Sequence, residues 1–169
     1  SVTAEPAVET TPVATQETFP LEMTDGLGRL ITLDQPAQRI VSLAPSATEI
    51  LYAVGAGSQV VGRDSFSDYP EEVLDVQDVG GSMGNYSLEK IASLNPDLVL
   101  ATEIHTAEQV KSLEDLGLTV YYILNPTDLE DLYPILENVA LLTGHEAEAA
   151  ELVHSLKTRV DSVTARIEK

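Results

Sequence analysis

Short apolar runs alternate with helical stripes along most of this chain. "FPLEMTD", "GLG" and "RLITLD" read as a β-hairpin around a glycine turn, closed off by Pro36. "RIVSLA" (39–44) is apolar and β-branched, the mark of a buried strand. "PSATEILYAVGAG" follows as a helix. Ser46 and Glu49 form a capping box, Ile50, Leu51 and Val54 make the apolar stripe, and Gly55 and Gly57 stop it. "VVG" (60–62) is a second short strand, and a loop with a proline-led turn runs from Arg63 to "GGSMGNYSLEKI" (80–91). "SLEKIASLN" (87–95) is a short helix ended by Pro96. "DLVLA" (97–101) is a third strand and "TAEQVKSLEDLG" (106–117) a helix boxed by Thr106 and Gln109. "TVYYIL" (119–124) is the fourth strand. "TDLEDLYPILENVALLTG" (127–144) is a helix capped by Thr127 and Glu130, with Pro134 marking a kink or break. One last helix runs from about Glu146 to Lys169.

Strands that alternate with helices, and are apolar throughout, form a mainly parallel sheet covered on both faces. The expected fold is therefore α/β and doubly wound, with an N-terminal hairpin and a long C-terminal helix. Ligands of such folds sit beyond the carboxyl ends of the strands. That points to Ala44–Ser46, Arg63–Tyr69, Thr102–His105 and Asn125–Thr127.

The last helix carries Ala149, Val153, Leu156, Val160, Val163 and Ile167, a spacing of alternating fours and threes. A stripe about 25 Å long, at 1.5 Å per residue, needs a cover. The four-stranded body reaches its first half; the far half is expected to sit bare. The helix then leads into a second domain, pairs with another chain, or packs on the body. The domain division is 1–18 as a disordered tether, 19–145 as the α/β lobe, and 146–169 as the long helix.

Composition narrows the function. The 169 residues suit one domain, and 43% hydrophobic content supports a core. There is no cysteine, so no disulfide framework and no thiolate metal site. A formal charge of -19 argues against nucleic acid and against an anionic membrane surface. It describes either a self-repelling soluble surface or an acidic face for a basic partner. "SVTAEPAVETTPVATQET" (1–18) is low in complexity and cannot offset its ordering entropy. A Thr/Pro-rich leader suits a domain held outside the cytoplasm on a lipid-anchored stalk, after removal of a signal peptide.

Enzyme chemistries find little support. "LAPSATEI" after the first strand has no glycine, so a dinucleotide fingerprint fails. "GGSMGNYSLEK" lacks the Lys-Ser/Thr of a P-loop, and no convincing strand precedes it. Of the three histidines, His145 and His154 read as solvated, and His105 belongs on the ligand rim. Glu103 and His105 are too few to close a metal site. No acid/base carboxylate pair stands out, and no cofactor is expected.

"RIVSLAPSATEILYAVGAG", "VVGRDSFSDYPEEV", "VGG…SLEKIASLNPDLVLA" and "LEDLGLTVYYI" resemble the class III periplasmic binding proteins. These deliver ferric siderophores, cobalamin or haem to ABC importers. The segments keep the family's order and near spacing, and the preceding hairpin resembles the usual start of its iron-chelate members. The resemblance implies two α/β lobes joined by one rigid helix, with ligand between them; this chain resembles the first lobe plus that helix. It implies that Glu89 docks on arginines of the membrane permease, where a helix N-terminus favours an anion and a carboxylate suits arginine. Glu49 stays structural. The implied ligand lip is Phe66, Asp68 and Tyr69, with Ser82, Met83, Asn85 and Tyr86, and Glu103 and His105; Tyr69 alternatively belongs to the core. Large flat chelates bind through aromatic area and a few polar contacts. Arg63 is the only nearby cation, which disfavours strongly anionic siderophores and points to a corrinoid or neutral chelate. Haem would draw an axial ligand from His105, Tyr86 or Met83. A stand-alone module dimerising through the last helix is the alternative, and an enzyme the weakest reading.

Overall fold

The computed structural model describes residues 19–81 and 84–167. The proposed tether (1–18), Ser82, Met83, Glu168 and Lys169 lie outside the described residues. The hairpin is β1 (Leu21–Thr24) and β2 (Leu30–Leu33), an antiparallel pair separate from the main sheet. The main sheet comprises β3 (Ile40–Ser42), β4 (Val60–Arg63), β5 (Gln77–Asp78), β6 (Leu98–Thr102) and β7 (Val120–Ile123). All its pairings are parallel, in the order β5-β4-β3-β6-β7.

The sheet has five strands where the pattern predicted four. β5 is two residues long, and "VQDVGG" offers too little apolar periodicity to announce it. It stands just before the glycines, so the missing-strand objection to a phosphate loop falls. The objection from the missing Lys-Ser/Thr remains.

Alternate residues of the strands feed two cores. Ile40, Leu98, Leu100, Tyr121 and Ile123 pack against α1 (Pro45–Ala53), α4 (Leu129–Thr143), the hairpin and the start of α5 (Glu146–Ile167). Val41, Val99, Ala101, Val120 and Tyr122 pack against α2 (Leu88–Ser93) and α3 (Ala107–Glu114). This is the two-layered cover that continuous apolar strands require.

Three helix starts show how local signals compete. Thr106 and Gln109 form the predicted capping box of α3. The box at Ser46 and Glu49 does not form. Pro45 occupies the first turn, where its missing N–H costs nothing, and the cap passes to Ala44. Glu49 is exposed instead. At α4 the cap is Asp128, one residue later than Thr127; its carboxylate accepts from Asp131 N–H at 3.0 Å. Pro134 lies inside α4, which continues through it.

His145 is not a solvated surface residue. It is half-buried at the α4–α5 junction, with Nε2 2.8 Å from Gln59 Oε1. Gln59 Nε2 donates onward to the Ala37 and Thr143 carbonyls, tying the last helix to the body. Buried amides must find partners, and this junction supplies them. His154 is exposed, as its flank position predicted.

The heptad stripe of α5 divides as its length implied. Ala149 and Val153 are buried, whereas Val163 is 53% and Ile167 78% exposed. Val163→Ser is therefore expected to change stability by less than about 0.5 kcal/mol. The same change at Val153 should lose about 1.5–3 kcal/mol of burial. Urea midpoints of the two variants measure the difference, and equal losses would mean that the far half is covered after all.

Candidate functional site

A parallel sheet gathers the ends of all five strands on one edge, and the chain reverses its direction of travel between β3 and β6. The crevice at that switch point is already filled. His105 is 6% exposed, with Nε2 2.7 Å from Tyr86 Oη and 3.1 Å from the Leu43 carbonyl. Thr102 N–H donates to His105 Nδ1 at 2.9 Å, and Tyr86 Oη donates to Leu43 O at 2.9 Å. The Tyr86 and His105 rings pack against each other with centroids 5.2 Å apart and planes tilted by 42°. A neutral imidazole protonated on Nε2 accepts from Thr102 N–H at Nδ1 and donates to Tyr86 Oη, which donates to Leu43 O. Burial drives His105 below the ordinary histidine value, outweighing the Thr102 and Leu43 carbonyls and Asp64. Burial, then the Asp64 charge, pushes Tyr86 up to about 12. Both groups are neutral near pH 7. His105 thus lies one layer beneath the rim where its position after β6 placed it.

Above this plug the edge is unusually apolar. Phe66 is 62%, Tyr69 68% and Ile104 65% exposed. Tyr69 is therefore not a core residue. Asp68, Asn85 and Glu103 are also exposed, so the polar members of the predicted lip do face solvent. Ile104 lies inside the expected Thr102–His105 stretch and turns outward from it. Ser82 and Met83 lie outside the described residues.

The glycine segment is a hydrogen-bonded loop. Gly80 bridges Tyr86, Gly81 N–H donates to Asn85 O at 2.8 Å, and Ser65 N–H donates to Gly80 O at 2.7 Å. Gly80 has φ +98°, and a Cβ there would stand 2.7 Å from the Asn85 carbonyl. Gly81 has φ +113°, and a Cβ would stand 2.8 Å from the Tyr86 ring. The glycines are needed so that the two sides of the loop can approach. Between this loop and α3 lies a pocket of about 140 Å³, lined by Leu43, Tyr86, Leu88, Val110 and Leu113.

Arg63, the cation expected near the lip, is occupied. Arg63 Nε donates to Val73 O and Nη1 to Asp64 O, both at 3.0 Å, with Asp78 3.7 Å away. Its guanidinium holds the turn before β5 rather than facing the rim. Glu89 is exposed in the first turn of α2, behind the Ser87 cap whose Oγ accepts from Lys90 N–H. Among the described residues no group of three or more acidic or histidine side chains could hold a metal, and no helix is long and apolar enough to cross a membrane.

Comparison with known proteins gives this geometry a context. An uncharacterized ABC transporter substrate-binding lipoprotein of Bacillus subtilis (strain 168) is 37% identical over 150 residues, 87% of this chain and 47% of that protein. The crystal structure of a periplasmic vitamin B12 binding protein of Vibrio cholerae superposes with a TM-score of 0.70 at 30% identity, over 78% of this chain and 51% of that one. A periplasmic heme binding protein from Pseudomonas aeruginosa superposes with a TM-score of 0.66 at 27% identity, over 78% of this chain and 49% of that one. This chain spans about half the length of the relatives it matches. Residues 40–169 match the periplasmic binding protein family along their whole length, and the chain belongs to that family.

Proposed function

We propose that this chain is the amino-terminal lobe and connecting helix of a solute-binding protein that serves an ABC importer outside the cytoplasm. Residues 19–145 form the lobe, 146–169 the helix, and 1–18 a lipid-anchored tether. The lobe takes a metal chelate such as cobalamin or a ferric siderophore at the strand ends and presents Glu89 to arginines of the permease. Its role is binding rather than catalysis, a reading supported by the buried His105, whose ring nitrogens are both engaged.

The observation that carries the ligand class is the rim of Phe66, Tyr69 and Ile104 over a plugged crevice. With His105 and Tyr86 occupying the switch point, only a pocket of about 140 Å³ remains beside them. An exposed aromatic and aliphatic rim instead offers area to a large flat molecule, with Asp68, Asn85 and Glu103 for polar contacts. Among the described candidates for an axial ligand, neither His105 nor Tyr86 presents an unengaged atom to an iron, which favours cobalamin over haem. Arg63, held by backbone carbonyls, favours a corrinoid or neutral chelate over an anionic one.

The bare half of α5 suits a second lobe better than a second copy. The positions flanking its seam are Lys157, Arg159, Thr164 and Arg166, with no carboxylate. Self-pairing would offer those cations no ion pair.

Titration with cyanocobalamin, haemin and a neutral ferric chelate, followed by visible absorbance and tyrosine fluorescence, tests the site. Phe66→Ala is expected to weaken the ligand that binds by at least about tenfold. No response to any of the three would reject the ligand class, and an unchanged affinity in Phe66→Ala would reject the rim.

A further inference from the structure

A chain of buried polar groups lies directly under the rim. Ser42 at the end of β3, Thr48 in α1, and Asp64 and Ser67 after β4 are each no more than 1% exposed. Thr48 Oγ1 donates to Ser42 Oγ at 2.8 Å and stands 2.8 Å from Ser67 Oγ. Ser67 Oγ donates to one oxygen of the Asp64 carboxylate. The other oxygen accepts the Phe66 N–H at 2.9 Å. Asp64 N–H in turn donates to the Ser42 carbonyl at 3.0 Å.

Burying a carboxylate and three hydroxyls here is costly compared with apolar filling, unless the groups do something apolar ones cannot. The loop they hold explains the choice. From Asp64 to Tyr69 its only apolar side chains are Phe66 and Tyr69, and both point outward. The loop therefore sends no apolar anchor into the core. Its conformation depends on the carboxylate, which fixes the Phe66 backbone from below, and on the hydroxyls, which fasten Ser67 to α1 and β3.

We propose that Asp64, Ser67 and Thr48 are positioning residues that hold Phe66 as a preset platform for the ligand, without touching it. The ligand part rests on the reading of Phe66 given above. The hydrogen bonds span three elements, so they set the height of the platform relative to the switch point. A platform fixed before binding spares the ligand the cost of ordering it.

The chain has only two phenylalanines, Phe19 and Phe66. Labelling with 4-fluorophenylalanine therefore gives two ¹⁹F lines, with Phe19 as the internal control of folding. Ser67→Ala and Thr48→Val should each shift the Phe66 line and leave the Phe19 line in place. Thr48→Ser, which keeps the hydroxyl, should return the Phe66 line to its original position. A Phe66 line unchanged in both Ser67→Ala and Thr48→Val overturns the proposal, whatever the ligand. So does a line that moves equally in Thr48→Val and Thr48→Ser, because the hydroxyl is then not what acts. Should Thr48→Val fail to fold, seen as a displaced Phe19 line, Ser67→Ala beside the rim carries the test alone. Cyanocobalamin added to the unsubstituted protein separates the two readings. If it leaves the Phe66 line unmoved while Ser67→Ala shifts it, the lock stands and the choice of ligand fails.

Discussion

Glu89→Arg in the complete binding protein is expected to abolish transport while leaving ligand affinity unchanged. The side chain is exposed at the start of α2, whereas the proposed ligand rim lies on loops after β4 and β6. Ser87 already caps the helix, so Glu89 is free of that task. A carboxylate placed there is open to a guanidinium of the permease, and reversing its sign sets cation against cation. Truncating one partner of a desolvated charge pair weakens a complex by about 2–5 kcal/mol, and reversal adds repulsion, so a loss of at least about a hundredfold in docking affinity is expected. Uptake into vesicles carrying the permease, run beside a ligand titration, measures both quantities. Normal uptake by the variant would remove the docking role from Glu89, and a fall in ligand affinity would mean that its effect passes through the rim.

Leu100→Ala is expected to cost about 2–5 kcal/mol of stability. Leu100 is fully buried on β6, between β3 and β7, in the core that joins the sheet to α1 and α4. Rigid neighbours on both sides limit collapse around the space left, which puts the loss toward the upper end of that range. The urea midpoint should fall with an unchanged slope, since the same surface is exposed on unfolding. A loss below about 1 kcal/mol would mean that α1 or α4 closes the gap, and that this face is less tightly packed than its burial implies.

Most of the fold was legible because its signals are local and repeated. Four apolar β-branched runs, the Thr106 box and the 4-3-4 stripe each draw on neighbouring residues alone. The misreadings are those in which a local signal lost to a competitor. Pro45 displaced the Ser46 cap, Asp128 displaced Thr127, and β5 was too short to carry a period. The rim was half legible. Motif positions pointed to Phe66, Tyr69 and Glu103, but nothing in "ATEIHT" tells that Ile104 faces out and His105 faces in. A residue just past a strand is directed by its turn, and the turn is held here by Thr102, Tyr86 and Leu43, of which only Thr102 is close in sequence.

Residue order alone was enough for the α/β class, the family likeness and the half-covered last helix, since each rests on periodicity, composition or contiguous motifs. Long-range contact was needed for the rest. His145 meets Gln59 across 86 positions, His105 meets Leu43 across 62, and Thr48 meets Ser67 across 19. Polar groups must find partners once buried, but which partners they find depends on how the chain closes in space. That is why the plug under the rim, the lock beneath Phe66 and the joint at the last helix emerged only from the folded protein.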